Sequence, residues 1–271
     1  MVPLSNIHTH TTFSDGRDTA EEMIRRALEL GFHTLGFSDH GYCVHDDGCM
    51  SHEAEDAYRT EVLRLRQQCA ADLAILLGYE HDWLGPRPEY PYDYVIESVH
   101  FVPAGGEVWA VDYSRARLED ALHRLYGGDA YALCRDYFRA ICESCAEEGQ
   151  ILGHMDLVMK FNEARDLFDD ADPRYTRYAL EAADCAADSG KLIEVNNGGV
   201  ARGYRTQPYP GAVILRRLAE RRTPVIITSD CHDRRYLDCN FAGTVALLRS
   251  CGFETAFQYR GNTLEEYPIG V

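Results

Sequence analysis

Short apolar runs alternate with amphipathic stretches along the whole chain. His33–Asp39 (HTLGFSD), Leu73–Glu80 (LAILLGYE), Asp93–Phe101 (DYVIESVHF), Gly149–Asp156 (GQILGHMD), Lys191–Asn197 (KLIEVNN) and Pro224–Asp230 (PVIITSD) read as buried strands. Between them, Thr19–Gly31, Glu55–Ala70, Tyr131–Gly149, Arg177–Gly190 and Pro210–Arg222 read as amphipathic helices. The first of these is expected to start after Asp18 as N-cap, to carry Glu21 and Glu22 in its first turn, and to stop at Gly31. Alternating β and α predicts an α/β fold: a parallel sheet with crossover helices. If that sheet closes into a barrel, the chemistry belongs at the C-terminal ends of its strands.

Those ends carry an unusual set of side chains. His8 and His10 lie in IHTHTTFSD, His40 in FSDH, His100 in ESVHF, His154 in GHMD and His232 in SDCHD; the acids are Asp15, Glu80 and Asp230. Imidazole and carboxylate are the usual protein ligands for Zn, Mn and Fe. An HxH pair alone is weak evidence, and an isolated histidine at a strand end is more often a hydrogen-bonded structural residue. The whole set argues otherwise. Residues i and i+2 of a strand share a face, so His8 with His10, and Asp230 with His232, can each reach one ion. His33, His52 and His123 read as structural. His45 and His81 adjoin probable site loops, although His81 follows Glu80 and along a strand points the other way. Gly41–Ser51 and Gly85–Tyr92 read as loops over the same rim.

Composition narrows the function. The apolar share of 45% over 271 residues is ordinary for a protein with a sizeable core, and no apolar run is long enough to span a membrane. A net charge of −17 without a Lys/Arg cluster disfavours nucleic-acid polymers as partners. It leaves room for a small phosphorylated substrate in a locally positive cleft. The start of the chain, MVPLSNIHTH, shows no basic-then-apolar leader, so a cytoplasmic location is expected, with the ten cysteines reduced. The CxxC of Cys142 and Cys145 falls in a helical run with no second pair and reads as incidental or structural.

These motifs, in this order from HTHTTFSDG to SDCHD, resemble the PHP (polymerase and histidinol phosphatase) superfamily across nearly the whole chain. The resemblance implies a distorted (β/α)7 barrel forming a single domain over residues 1–271, with up to three bound metals. By position, His8, His10, Glu80 and Asp230 match ligands of a first metal, and Glu80, His100 and His154 match ligands of a second bridged by Glu80. Asp15, His40 and His232 match the third site. Catalysis is expected to depend most directly on Glu80, Asp230 and His232. An acid at position 15, DYVIESVHFV and the loop VNNGGVARGYRTQPYPG are similar to stand-alone histidinol-phosphate phosphatases.

The implied chemistry is hydrolysis of L-histidinol phosphate by a hydroxide bridging two metals, at a trinuclear site. Three divalent ions bring about +6, three carboxylates return about −3 and the hydroxide about −1, leaving a balance suited to a phosphate monoester near its dianion. No serine or cysteine has a nucleophile context such as GxSxG. Arg202 is the first choice for a phosphate clamp and Lys160 the second. Glu194 is expected either to orient a ligand histidine or to meet a cationic substrate amine. The alternatives are a phosphoesterase for nucleotides or other small monoesters and, ranked last, a non-catalytic regulatory module.

Overall fold

The computed structural model describes residues 1–270. In chain order its strands are β1 (Ser5–Asn6), β2 (Thr34–Phe37), β3 (Ala74–Asp82), β4 (Tyr94–Ser98), β5 (Phe101–Ala104), β6 (Glu107–Ala110), β7 (Ile151–Leu152), β8 (Leu192–Asn196), β9 (Val225–Thr228), β10 (Thr255–Arg260) and β11 (Thr263–Pro268). The helices are α1 (Ala20–Glu29), α2 (His52–Cys69), α3 (Arg115–Tyr126), α4 (Ala130–Ser144), α5 (Pro173–Ser189), α6 (Gly198–Ala201), α7 (Ala212–Glu220) and α8 (Phe241–Ser250). The main sheet runs β1-β2-β3-β4-β7-β8-β9-β10-β11. From β1 to β9 every neighbouring pair is parallel, as the alternation of strand and helix predicts. All residues of β2, β8 and β9 are buried, the mark of strands covered on both faces.

The parallel sheet curls into a distorted barrel. Beyond the short β1, Thr9 bridges to Cys231 in parallel sense: Cys231 N–H donates to His8 O (3.1 Å) and His10 N–H to Cys231 O (2.9 Å). The side chain of Asn6 adds a bond to Ser229 Oγ. At the other end β10 joins β9 through the pair Phe257↔Ile226, and Leu4 N–H donates to Gln258 Oε1 (3.1 Å).

Ile7, Leu76, Tyr94, Ile96, Ile151, Leu192 and Ile226 fill the interior, with Phe257 and Tyr259 packed against them. Tyr94 occupies space that two glycines leave open. A Cβ on Gly36 would fall 2.3 Å from its hydroxyl, and one on Gly78 would fall 2.1 Å from its ring. The hydroxyl donates to the carbonyls of Ile7 and Phe37, tying three strands together beneath the chemistry. Outside, the amphipathic helices bury one stripe each, such as Met23, Ile24 and Ala27 of α1 or Tyr58, Val62 and Leu65 of α2.

Two local expectations are corrected. Thr19, not Asp18, caps α1: its hydroxyl accepts from Glu22 N–H while Glu22 accepts from Thr19 N–H, a reciprocal capping box. Asp18 accepts instead from the backbone and guanidinium of Arg234. The cysteines are not all free thiols, because Cys142 of α4 is bonded to Cys185 of α5, with Cα atoms 5.4 Å apart. The two helices pack side by side, and the CxxC partner Cys145 remains unpaired. Among the described residues, no helix is long and apolar enough to cross a membrane.

Gly78→Ala should force the Tyr94 ring aside and cost about 1–3 kcal/mol in urea unfolding, the usual range for overpacking a filled core. An unchanged midpoint would mean the interior is looser than its geometry.

Candidate metal centre

The ends of six parallel strands deliver side chains to the same rim. His8 and His10 flank the bridge residue Thr9, His40 follows β2, Glu80 lies in β3, His100 follows β4, His154 follows β7, and Asp230 and His232 follow β9. Asp230 adopts a left-handed backbone (φ 47°) that non-glycine residues rarely hold without tertiary support. That support comes from the adjoining seam, from Arg202 and from Gly198. Arg202 Nη2 lies 2.9 Å from Asp230 Oδ2, and a Cβ on Gly198 would fall 2.3 Å from the same oxygen.

At the centre lies Glu80, only 1% exposed. Its oxygens stand 3.0 Å from His40 Nδ1, 3.1 Å from His154 Nε2, 3.2 Å from His8 Nε2, 3.4 Å from His10 Nε2 and 3.6 Å from His100 Nε2. Asp230 Oδ1 lies 3.2 Å from His10 Nε2, 3.4 Å from His232 Nδ1 and 3.6 Å from His8 Nε2. Asp15 approaches His232 Nε2 at 3.1 Å, His10 Nδ1 at 3.6 Å and His40 Nε2 at 3.8 Å. All nine residues expected as ligands (His8, His10, Asp15, His40, Glu80, His100, His154, Asp230, His232) therefore converge.

Could these residues hold metal ions? Two ligand atoms, each about 2.1 Å from a shared ion, stand roughly 3.0–3.4 Å apart at octahedral or tetrahedral angles. Most separations around Glu80 and Asp230 fall in or near that range. His8 Nε2, both ring nitrogens of His10, Glu80 Oε2 and His154 Nδ1 are buried with no hydrogen-bond partner. Burial would raise the Glu80 carboxyl, but His40, His8, His100 and His154 hold it well below the usual carboxylate range. Burial, with His232 and His40 alongside, pushes His10 down to about 3, so its imidazole is neutral and offers a lone pair; burial opposes charge on His8, His40 and His100 as well, but the carboxylates beside them raise all three. Imidazole nitrogens packed this closely against ionised carboxylates fit cations.

Groups with ligand atoms mutually within 4.8 Å are His8, His10 and Asp230; His40, Glu80 and His100; and His10, Asp15, His40 and His232. His40 and His10 each join two clusters, a sharing that the sequence does not show. His154 reaches the assembly through Glu80.

Buried acids brace these side chains, as metal-binding histidines usually require. Glu194, expected as an orienting group or an amine contact, has the first position. It bonds His8 Nδ1 and accepts from His154 N–H (2.8 Å), Asn196 Nδ2 (3.0 Å) and Thr228 Oγ1 (2.6 Å). With 0% exposure and both oxygens engaged, it has no face for a substrate amine. Two braces went unrecognised in the sequence. Asp82 Oδ2 accepts from His100 N–H (3.0 Å), with His100 Nδ1 3.5 Å away; Asp39 accepts from the backbone and hydroxyl groups of Thr11 and Ser14, fixing the turn that presents Asp15. Their only signal is adjacency to ligands in SDH and EHD. His81 does point away from Glu80, to Glu97 Oε2 at 2.8 Å. His33 bonds Thr34, His123 lies on α3 and His52 opens α2, all outside the centre; the ring of His45 packs near Phe101.

The centre opens into a cleft of about 110 Å³ lined by residues expected as ligands together with Asp112, Leu157, Lys160 and Arg202. Arg202 Nη1 bonds His232 Nδ1 (2.8 Å), so its guanidinium spans two of the side chains around the cleft.

Residues 6–198 match the PHP domain family. The chain belongs to that family. A Deinococcus radiodurans protein named "Probable histidinol-phosphatase" is 30% identical over 276 residues, covering 96% of this chain and 98% of its own. The "Histidinol-phosphatase" of Bacillus subtilis is 23% identical over 251 residues, covering 83% and 92%. Among solved structures, Lactococcus lactis histidinol phosphate phosphatase, crystallised with zinc, L-histidinol and phosphate, superposes with a TM-score of 0.73 at 19% identity, covering 96% of this chain and 98% of that one. This PHP chain shares their fold from end to end.

Glu194→Gln removes the charge behind His8 while keeping its shape. It should lower zinc affinity by about 10–100-fold in a chelator competition, the usual cost of losing such a partner. Unchanged affinity would remove Glu194 from the centre's support.

Proposed function

We propose that this protein is a metal-dependent phosphatase that hydrolyses L-histidinol phosphate to L-histidinol and phosphate, its whole chain acting as one domain. The observation that carries the reading is the convergence of imidazoles and carboxylates around Glu80 at the floor of a cleft with an arginine and a lysine in its wall. End-to-end likeness to proteins named histidinol-phosphatases supports the substrate.

Three divalent ions would be held by His8, His10, Glu80 and Asp230; by Glu80, His100 and His154; and by Asp15, His40 and His232. Bound ions of this kind supply Lewis acidity and a water acidic enough to attack at neutral pH. The chain's own groups do the rest. Glu80 and Asp230 stay ionised, and His232, tied to Asp15 and Arg202, holds its ring against the opening of the cleft. Burial opposes ionisation of Asp230, and Arg202 with His8 and His10 overcomes it. Arg202 presents a fixed guanidinium to phosphate oxygens, a bidentate match that lysine lacks. The net charge of −17 keeps polyanions off the surface, so a single phosphoryl group meets its positive field only inside the cleft.

Chelation should abolish phosphatase activity, and zinc, manganese or iron should restore it; full turnover by metal-stripped protein contradicts the mechanism. Asp230→Ala should lower kcat on the order of 10³-fold, whereas His123→Ala should leave it near wild type. Initial rates on histidinol phosphate, nucleoside monophosphates and phosphoserine decide the substrate. Much faster turnover of a nucleotide would replace the histidinol assignment.

A further inference from the structure

Next to the metal cleft lies a second cavity of about 480 Å³, with Tyr113, Phe161, Glu163 and Tyr204 in its walls. Among the described residues, Lys160 is the only one that lines both cavities. A phosphate monoester bound with its phosphoryl group in the first and its alcohol in the second must pass its bridging oxygen beside this side chain. Phe161 and Tyr204 meet edge to face at 5.4 Å, and the Lys160 ammonium lies 5.6 and 5.2 Å from their ring centres.

Lys160 is only 8% exposed. Its Nζ donates to the backbone carbonyl and to the carboxylate of Asp112, both at 2.9 Å. An ammonium has three N–H bonds, so one remains for a ligand. Arg202 already faces the phosphoryl side of the cleft through Asp230 and His232. The ester oxygen has no other donor assigned.

We propose that Lys160 is the catalytic residue that protonates the leaving alcohol, with Asp112 as its positioning residue. As the phosphorus–oxygen ester bond breaks, its electron pair passes to the alcohol oxygen. That oxygen takes a proton from Nζ while an oxygen derived from water bonds to phosphorus. The neutral amine, still donating to Asp112, recovers a proton from solvent, so the sum is ester plus water to alcohol plus phosphate. An ordinary alkoxide is far more basic than lysine, so the transfer is downhill.

The role rests on the phosphatase reading but not on which alcohol is released. The test compares an alkyl pair, histidinol phosphate and glycerol phosphate, with p-nitrophenyl phosphate, whose phenolate leaves without a proton. Lys160→Met should lower kcat on the alkyl esters by about 10²–10⁴-fold, the usual worth of a general acid, and should largely spare the aryl ester. Lys160→Arg keeps the charge and a donor to Asp112 but holds its proton too tightly, and should show the same selective loss. Metal content and the affinity for inorganic phosphate, measured by calorimetry, should stay near wild type in the arginine variant. Equal losses on alkyl and aryl esters, or full rescue by arginine, would make Lys160 a phosphate clamp and overturn the proposal. Wild-type preference between histidinol phosphate and glycerol phosphate reads the substrate assignment separately.

Discussion

A buried carboxylate with nitrogens of five histidines 3.0–3.6 Å away is the constraint around which the molecule is organised. Glu80 is sealed from water and ionised, and its charge in turn favours the protonated forms of His8, His40 and His100. A buried charge left unpaired costs several kcal/mol, which makes this cluster a candidate site for cations. The same reasoning covers Asp230, which is buried and touched by His8, His10 and His232. The fold's task is to hold repelling groups close enough for ions to bind them.

Barrel architecture does this by geometry. Parallel strands end at one rim, so every turn after a strand contributes to a shared centre. The seam at Thr9 and Cys231 matters most, because it puts His8, His10, Asp230 and His232 side by side across the closure. Below it, Tyr94 in the space left by Gly36 and Gly78 ties the floor, and the left-handed backbone at Asp230 turns its carboxylate inward. Glu194, Asp82 and Asp39 then lock ring and loop orientations.

What the sequence revealed follows from how local each signal is. Strand ends are legible because buried runs such as PVIITSD stop abruptly at polar residues, and the converging imidazoles and carboxylates sit at those stops. His81 was placed correctly by alternation alone. The role of Glu194 needed its neighbours in space: only the contacts with His8, Asn196 and Thr228 exclude it from meeting substrate. The pairing of Cys142 with Cys185 spans 43 residues and depends on how α4 and α5 dock, which periodicity does not encode. The β5–β6 hairpin and the β10–β11 pair carry little signal, since VPAGGEVWA and TAFQYRGNTLEEYP form short, half-exposed strands. Asp18 and Thr19 are both good caps, and Arg234, distant in sequence, takes the first away.

Anomalous diffraction from crystals of the protein as purified, collected across the zinc, iron and manganese edges, tests the cation requirement most directly. Three peaks should appear within the cleft: one beside His8, His10 and Asp230, one beside Glu80, His100 and His154, and one among Asp15, His40 and His232. A cleft without any peak, in protein that still turns over phosphate ester, would show that protons or water satisfy Glu80 and that its surroundings were never built for metal.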